Sequence, residues 1–274
     1  MSRPGRVLVT GSTGNLGRKA VTALREADLE VVEVAADAQD GPDALRADLS
    51  SFDPGWASAF GGIDAVVHLA ADRRPEAPWD SLQQLNLDLS MNVLRAAEEA
   101  RVRRFAFASS NWVLGGYRFS RERLTTTTSP KPVNPYGVSK LVMERVGLAT
   151  AARTGMSFLA LRIGYCQPGD NLPGPAMLYG RWGQEMWLSN QDWAQAVRKA
   201  CTSPFEGSAV LHLMSDNTGM RWDLTDSDRV IAYRPESRHT PRLTLAGRLR
   251  DAAARLRDGV VEPMAPEPRF GGGW

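Results

Sequence analysis

The sequence predicts an α/β fold with a doubly wound parallel sheet, and three observations carry this prediction. Short apolar runs typical of buried strands alternate with amphipathic segments typical of helices through the first two thirds of the chain. A glycine-rich turn joins the first of these strands to the first helix. The length of 274 residues suits one large α/β domain with a small appendage.

The periodicity of apolar residues places the individual elements of the main domain, residues 1–163. The predicted strands are residues 6–10, 30–35, 65–70, 105–108 and 158–163. The predicted helices are residues 16–27, 78–100 and 135–154. Because helices alternate with strands, each crossover returns the chain to the same edge of the sheet and the strands run parallel.

The remaining residues, 164–274, are rich in Gly, Pro and Trp and are predicted to form a smaller substrate-covering region packed on the first. They contain one predicted helix, residues 192–201, and one predicted strand, residues 209–214. A basic amphipathic segment, residues 242–257, indicates a solvated surface helix. The closing residues, 263–274, are expected to lie over the surface.

Composition argues against several classes of protein. The net charge of +2 gives no electrostatic case for nucleic acid. Cys166 and Cys201 are far apart and the chain has only three histidines, so neither a disulfide framework nor a metal site is indicated. No apolar stretch reaches the ~18 residues that a membrane span needs, and the start of the chain lacks a signal sequence. We therefore expect a cytoplasmic protein that does not bind membranes.

The glycine-rich turn predicts a Rossmann-like dinucleotide site. Glycines are needed there because the backbone must turn tightly, approach a pyrophosphate closely and direct free N–H groups of the helix start at its charge. The predicted contacts come from Gly11, Thr13, Gly14, Asn15, Leu16 and Gly17. 

An acidic residue after the second strand bears on the choice of dinucleotide. Asp37 lies twenty residues beyond Gly17, where a carboxylate accepts hydrogen bonds from the adenosine ribose and repels a 2′-phosphate. NAD is therefore predicted over NADP, although NADP stays open because a solvated loop carboxylate would look the same in the sequence.

Two further stretches point to the same site. Asp48 and Leu49 follow a short strand-like segment at the expected adenine edge, although Asp48 would serve equally well as a helix cap. His68 is followed by Leu69, Ala70 and Ala71. The small residues of this stretch allow the backbone to approach the cofactor closely.

A phenol and an ammonium group are predicted to lie on one face of helix 135–154. Tyr136 and Lys140 are four residues apart, which places their side chains one helical turn from each other. Ser109, Ser110 and Asn111 follow the strand at 105–108. Because ligands bind at the carboxyl ends of strands in open α/β sheets, we expect all of these side chains to share one site.

Together these motifs resemble the extended short-chain dehydrogenases, the NAD-dependent epimerase/dehydratase family, and within it the uronate dehydrogenases most. The matching residues lie at 10–17, 68–71, 109–111, 136–140 and 162–164. The resemblance implies an oxidoreductase that interconverts a secondary alcohol and a ketone by hydride transfer to or from NAD(P).

The resemblance also implies roles for the residues. Tyr136 would be the base, with Lys140 and the positive nicotinamide bringing its pKa from ~10 towards ~7. Lys140 would also hold the nicotinamide ribose, and Ile163 would line the cofactor. Ser110 would bond the substrate oxygen and Asn111 a neighbouring hydroxyl.

The chain departs from the uronate dehydrogenases where those enzymes hold their substrate. Ala176 stands in place of the arginine that binds the sugar carboxylate, Trp112 in place of a histidine and Tyr165 in place of a small polar residue. This pocket favours a neutral ring-shaped substrate that stacks on aromatic side chains. Alternatively, Arg73 or Arg74 replaces the lost charge.

Three functions are compatible with these residues. A dehydrogenase of a cyclic polar molecule, sugar-like, uronate-like or nucleoside-like, is favoured. A nucleotide-sugar epimerase or dehydratase would use the same Tyr136 and Lys140, but such enzymes usually have a larger C-terminal domain. A non-catalytic dinucleotide sensor would not need Ser110, Tyr136 and Lys140 together. By analogy, helices 78–100 and 135–154 would form the interface of a homodimer.

Overall fold

The computed structural model describes residues 5–261, with side chains to residue 256, and contains a seven-stranded parallel sheet. The strand order is β3-β2-β1-β4-β5-β6-β7. The strands are β1 (Arg6–Thr10), β2 (Glu30–Ala35), β3 (Ala44–Arg46), β4 (Ala65–His68), β5 (Arg104–Ser110), β6 (Ser157–Ile163) and β7 (Ser208–Leu213). The order reverses between β1 and β4, which opens a crevice at their carboxyl ends. This confirms the predicted Rossmann-like, doubly wound sheet.

Helices cover both faces of the sheet. They are α1 (Asn15–Arg25), α2 (Pro54–Ala57), α3 (Trp79–Leu82), α4 (Leu89–Glu99), α5 (Pro135–Thr154), α6 (Gly180–Glu185), α7 (Asn190–Thr202), α8 (Thr225–Ile231) and α9 (Leu245–Val261). No helix in the described part of the chain is long and apolar enough to cross a membrane. The predicted surface segment is largely the exposed helix α9, while the predicted tail at 263–274 lies outside the described residues.

Two apolar layers sandwich the sheet because successive side chains of a strand point to opposite faces. Val7 and Val9 of β1 face the layer that contains Trp193 of α7. Leu8, between them, faces the layer that contains Val93 of α4 and Met143 of α5. All six side chains are almost completely buried, so the sheet is fixed from both sides.

Several element boundaries differ from the sequence prediction. β5 continues to Ser110, because it pairs with β6 up to the Ser110–Ile163 register. β4 stops at His68, where its partner β1 ends. The long helix predicted over 78–100 contains a π-helical segment, Gln83–Asp88, between α3 and α4. β7 and α7, which follow residue 163, complete the main sheet and its core. The division of the chain at residue 163 stays a prediction.

Candidate active site

The turn between β1 and α1 has the geometry of a phosphate cradle. Gly11 has a φ of +67°, and a Cβ there would lie 2.8 Å from the backbone nitrogen of Ala70. A Cβ on Gly17 would lie 2.0 Å from the carbonyl oxygen of Gly11. Helix α1 starts after Gly14 without a side chain capping it, so its first N–H groups are open to an anion. These observations fit a dinucleotide pyrophosphate.

Asp37 follows β2 and contacts this turn, at the place where the adenosine ribose of a dinucleotide is expected. The Thr13 hydroxyl donates to the Asp37 carboxylate at 2.5 Å. Arg18 donates to the carbonyl of Thr13, and Arg46 donates through Nε to the carbonyl of Ala36 at 3.1 Å. The corner therefore combines one carboxylate with two guanidinium groups. The carboxylate favours NAD, and the arginines offset part of its repulsion of a 2′-phosphate.

Asp48 and Leu49 lie beside this corner with different surroundings. The Asp48 carboxylate accepts the backbone N–H of Ser50 at 2.9 Å, and the side chain and backbone of Ser50 together lower the pKa of Asp48. The alternative that Asp48 caps a helix is wrong, because Asp53 caps α2. Leu49 is buried in the core, so only its backbone is available to a cofactor.

A buried histidine that the sequence analysis did not single out for a role fixes the end of β4. The Thr10 hydroxyl accepts the backbone N–H groups of Leu69 and Ala70, and it is hydrogen-bonded to Nδ1 of His68 at 2.6 Å. The other nitrogen of His68 contacts the Ser90 hydroxyl at 2.9 Å. Burial lowers the pKa of His68 to about 3, so the ring is neutral and holds the chain before Ala71 in place.

The predicted catalytic side chains are brought together. Helix α5 begins at Pro135 because the Asn134 side chain caps it, accepting the N–H of Gly137 at 2.7 Å. Tyr136, in the first turn, lies close enough to Ser110 at the end of β5 for the serine hydroxyl to favour the phenolate. The Nζ of Lys140 lies 5.7 Å from the centre of the Tyr136 ring. All three catalytic candidates are buried at the carboxyl end of the sheet.

Burial controls the protonation of Tyr136 in the protein without cofactor. Burial raises the pKa of the phenol to about 12, and the hydrogen bond with Ser110 opposes this shift. Burial also lowers the pKa of Lys140 to about 8. The charge that lowers the Tyr136 pKa in this structure is that of Arg73 rather than Lys140. The prediction that Lys140, together with the positive nicotinamide, favours the phenolate concerns the complex with cofactor and stays a prediction.

Asn111 has an unsatisfied side-chain oxygen. Its residue is 1% exposed, and Nδ2 contacts the sulfur of Met186 at 3.1 Å. Its Oδ1 has no hydrogen-bond partner among the described residues. A buried acceptor without a donor is costly, and a substrate hydroxyl would satisfy it. This fits the role predicted for Asn111.

Trp112 and Tyr165 belong to an aromatic wall beside these residues. The ring of Trp112 lies 5.1 Å from those of Tyr179 and Trp182, with edge-on geometry, and Tyr165 lies 6.0 Å from Tyr179. Tyr179 adopts a left-handed φ of 64° before helix α6. The sequence carried no signal for Tyr179 or Trp182. The aromatic rings pack on each other, and Trp112 also packs against Tyr136, so this wall adjoins the catalytic residues.

The two arginines after β4 behave differently. Arg74 binds the buried carboxylate of Asp72 with two bonds, Nε to Oδ1 at 3.0 Å and Nη2 to Oδ2 at 2.6 Å. This pairing lowers the pKa of Asp72 to about 2. Arg73 is exposed and forms no ion pair with any described carboxylate. Of the two candidates for a substrate contact, only Arg73 is available.

Comparison with known proteins identifies the family. The family model for the NAD-dependent epimerase/dehydratase family matches residues 7–165. The chain belongs to this family. It is 34% identical to the L-arabinose 1-dehydrogenase (NAD(P)(+)) of Haloferax volcanii over 84% of this chain and 96% of that protein. It is 31% identical to the NAD-dependent glucose-6-phosphate dehydrogenase of the same organism over 84% and 92% of the two chains.

A solved structure agrees with this assignment. A uronate dehydrogenase variant from Agrobacterium tumefaciens, complexed with NAD, superposes with a TM-score of 0.72 and 25% identity over 97% of this chain and 92% of that one. The protein is therefore a nicotinamide-dinucleotide oxidoreductase of the NAD-dependent epimerase/dehydratase family that acts on CH–OH groups, as the sequence predicted.

A buried ion pair between Glu144 and Arg162 lies beneath the catalytic residues, and the sequence analysis did not predict it. The carboxylate of Glu144 accepts Nε and Nη2 of Arg162, both at 2.8 Å, and the Ser109 hydroxyl at 2.5 Å. Glu144 lies one helical turn beyond Lys140. The pair thereby joins α5 to the ends of β5 and β6, which carry the catalytic serine and Ile163.

Asn86 forms a second supporting cluster. It lies in the π-helical segment and is 1% exposed. Its side chain accepts the backbone N–H of Asp72 at 2.8 Å and donates to the Asp72 carbonyl and the Ser139 hydroxyl, both at 3.1 Å. Ser139 in turn donates to the carbonyl of Tyr136 at 2.8 Å. Asn86 thus couples the loop after β4 to the catalytic turn of α5, a use typical of π-helical insertions.

Proposed function

We propose that this member of the family is a sugar dehydrogenase that oxidises the hemiacetal C1 hydroxyl of a cyclic sugar to a lactone. The observation that carries the proposal is the burial of Ser110, Tyr136 and Lys140 together, with the Lys140 Nζ 5.7 Å from the Tyr136 ring. They lie at the carboxyl end of the sheet, the end at which the glycine turn also lies. The unsatisfied oxygen of Asn111 suits a second hydroxyl next to the reacting one. The curated relatives that act on arabinose and glucose 6-phosphate support a sugar substrate.

The chemistry requires a proton acceptor and a held substrate oxygen. Tyr136, as phenolate, takes the proton of the C1 hydroxyl, while Ser110 donates a hydrogen bond to the same oxygen. The C1–H bond breaks with its electron pair leaving as hydride, and a C=O bond forms. When bound, NAD supplies the hydride acceptor and a positive ring. C1 is favoured because the ring oxygen donates electron density to the carbon that loses hydride.

The position of the glycine turn beside the catalytic residues also suggests how NAD would be held. We propose that the pyrophosphate lies over the turn formed by Gly11, Thr13, Gly14, Asn15, Leu16 and Gly17. Asp37 would hold the adenosine ribose and Asp48, with the Leu49 backbone, the adenine edge. The chain at Leu69, Ala70 and Ala71, together with Ile163 and Lys140, would line the nicotinamide riboside.

A coupled screen tests the proposal. The purified protein is mixed with NAD or NADP and with L-arabinose, D-glucose, D-glucuronate, D-glucose 6-phosphate or UDP-glucose, and reduced nicotinamide is followed by absorbance. We expect one mole of lactone for each mole of reduced cofactor with at least one free sugar. Release of an epimer of UDP-glucose without net reduction would instead identify an epimerase. Absence of both reactions would contradict catalysis on these sugars.

We propose in addition that the protein forms a homodimer through α4 and α5. Met91 of α4 is 48% exposed and Val142 of α5 is 39% exposed, which is high for large apolar side chains. The helices are adjacent, bridged by an ion pair between Arg153 and Glu98. Light scattering should give the mass of two chains, and the double variant Met91→Glu/Val142→Glu should give one. Leu245→Glu, on exposed α9, is the matched control and should stay dimeric.

A further inference from the structure

Helix α6 holds the aromatic wall that adjoins the catalytic residues. Tyr179 precedes this helix and Trp182 lies on it, and the ring centre of each lies 5.1 Å from that of Trp112. Trp112 itself packs against Tyr136. A shift of α6 would therefore loosen the aromatic rings beside the proposed sugar site.

This helix is too short to keep its position without support. It spans only Gly180–Glu185, and no side chain caps its start. Helices of fewer than ~12 residues are unstable in isolation, so contacts with other parts of the chain must fix α6. Met186, directly after the helix, contacts Nδ2 of Asn111 through its sulfur at 3.1 Å. A displaced α6 would thus also disturb the amide that is proposed to bind a second sugar hydroxyl.

Gln184 attaches α6 to the segment that precedes α9. The residue is completely buried. Its Nε2 donates to the carbonyl of Arg242, and its Oε1 accepts the backbone N–H of the same residue, both at 2.8 Å. Oε1 also contacts Nε2 of His239 at 2.9 Å, and because an amide oxygen only accepts, the histidine is the donor. These three bonds fix the orientation of the amide and the distance between α6 and the segment.

The segment that Gln184 binds is itself held on the main sheet. The backbone N–H of Thr218 donates to the carbonyl of His239 at 2.9 Å, and that of Asp216 donates to the carbonyl of Ser237 at 3.0 Å. Asp216 and Thr218 follow closely after the end of β7. Gln184 therefore ties α6 to a support that is continuous with the sheet.

We infer that Gln184 is a positioning residue, which does not touch the sugar but sets its affinity by holding α6 and the aromatic wall in place. This inference rests on the proposed function, because the sugar is the proposed substrate. It assigns to a buried amide far from Tyr136 in the sequence a part in substrate binding. Loss of the amide should weaken sugar binding, while the glycine turn that would hold NAD keeps its own contacts.

Gln195 of α7 offers a matched control. Its Nε2 donates to the carbonyl of Arg234, and its Oε1 accepts the backbone N–H of the same residue, both at 2.8 Å. Gln195 is also buried. The core layer that α7 joins contains Trp193, whereas the aromatic wall belongs to a separate apolar cluster. Its replacement removes the same kind of bonds without touching α6.

Steady-state kinetics test the inference, with NAD and the sugar of the coupled screen that the wild type oxidises best. Gln184→Met should raise KM for this sugar by about 10-fold and leave kcat and the Kd for NAD within about twofold. Gln195→Met should lower Tm by a similar amount, about 3–10 °C, and leave KM unchanged. Gln184→Glu keeps the bonds from His239 and from the Arg242 N–H, so its KM should lie between those of wild type and Gln184→Met.

Hydrogen exchange, followed by mass spectrometry, adds a readout that needs no substrate. Backbone amides of residues 180–188 should exchange about 10-fold faster in Gln184→Met and at the wild-type rate in Gln195→Met. An unchanged KM in Gln184→Met, or a KM or exchange rate raised alike by both variants, overturns the inference and leaves the proposed function standing. If the wild type oxidises no sugar of the screen, the proposed function fails. Faster exchange in Gln184→Met alone would then still show that Gln184 holds α6 in place.

Discussion

Replacing Tyr136 with Phe is expected to lower kcat by about 10²- to 10⁴-fold while NAD binding stays nearly unchanged. The phenol acts on the substrate oxygen, so its removal abolishes proton abstraction. The ring itself packs against Ala77, Leu82 and Trp112, and Phe keeps these contacts. Steady-state kinetics with the sugar identified by the screen, and NAD titration by fluorescence, measure the two effects separately.

The pH dependence of the same variant gives a second readout. Burial raises the pKa of Tyr136, so the phenol is protonated at neutral pH in the protein without cofactor. The wild-type rate should therefore rise with pH as the phenolate forms, and the residual rate of Tyr136→Phe should lack this rise. A variant with near-wild-type kcat would show that another group accepts the proton. Thermal unfolding serves as the control, since an unfolded variant would be inactive for a different reason.

Short motifs made much of this site predictable from the sequence. The glycine turn is a local motif, and the glycines themselves show its steric requirement. Gly11 and Gly17 lie so close to neighbouring backbone that a Cβ on either residue would clash with it. Tyr136 and Lys140 were found because helical periodicity converts a spacing of four residues into proximity. The doubly wound parallel sheet followed from the alternation of strands and helices, which leaves few arrangements of the sheet.

Other parts depend on contacts between residues distant in the sequence. Nothing local distinguishes Arg73 from Arg74, and only the buried carboxylate of Asp72 shows that Arg74 is engaged. The desolvation of Tyr136 depends on distant residues for a related reason. It is set by how completely the folded chain encloses the phenol, whereas the sequence showed only the nearby Lys140.

Glu144→Leu is expected to destabilise the protein by about 3–5 kcal/mol, because it leaves a buried guanidinium without its partner. Arg162 is 2% exposed, and both of its bonds to Glu144 would be lost. The neighbouring His212 cannot replace the lost negative charge of Glu144. Burial and the charge of Arg162 lower the pKa of His212 to about 3, so its ring is neutral. This loss is a large part of the 5–15 kcal/mol typical of a folded domain. Chemical denaturation, followed by circular dichroism, measures the change.

Two further variants decide whether the unpaired charge is the cause. Glu144→Leu/Arg162→Met removes both charges and should recover most of the lost stability, because an apolar pair of similar volume is often no less stable than a buried ion pair. Glu98→Leu breaks the exposed pair with Arg153, at the end of the same α5, and should cost at most about 1 kcal/mol. If the double variant were as unstable as Glu144→Leu, the loss would lie in packing around Ser109 instead. The Glu144–Arg162 pair would then stabilise the catalytic strand β5 by filling space beside it rather than by the attraction between its charges.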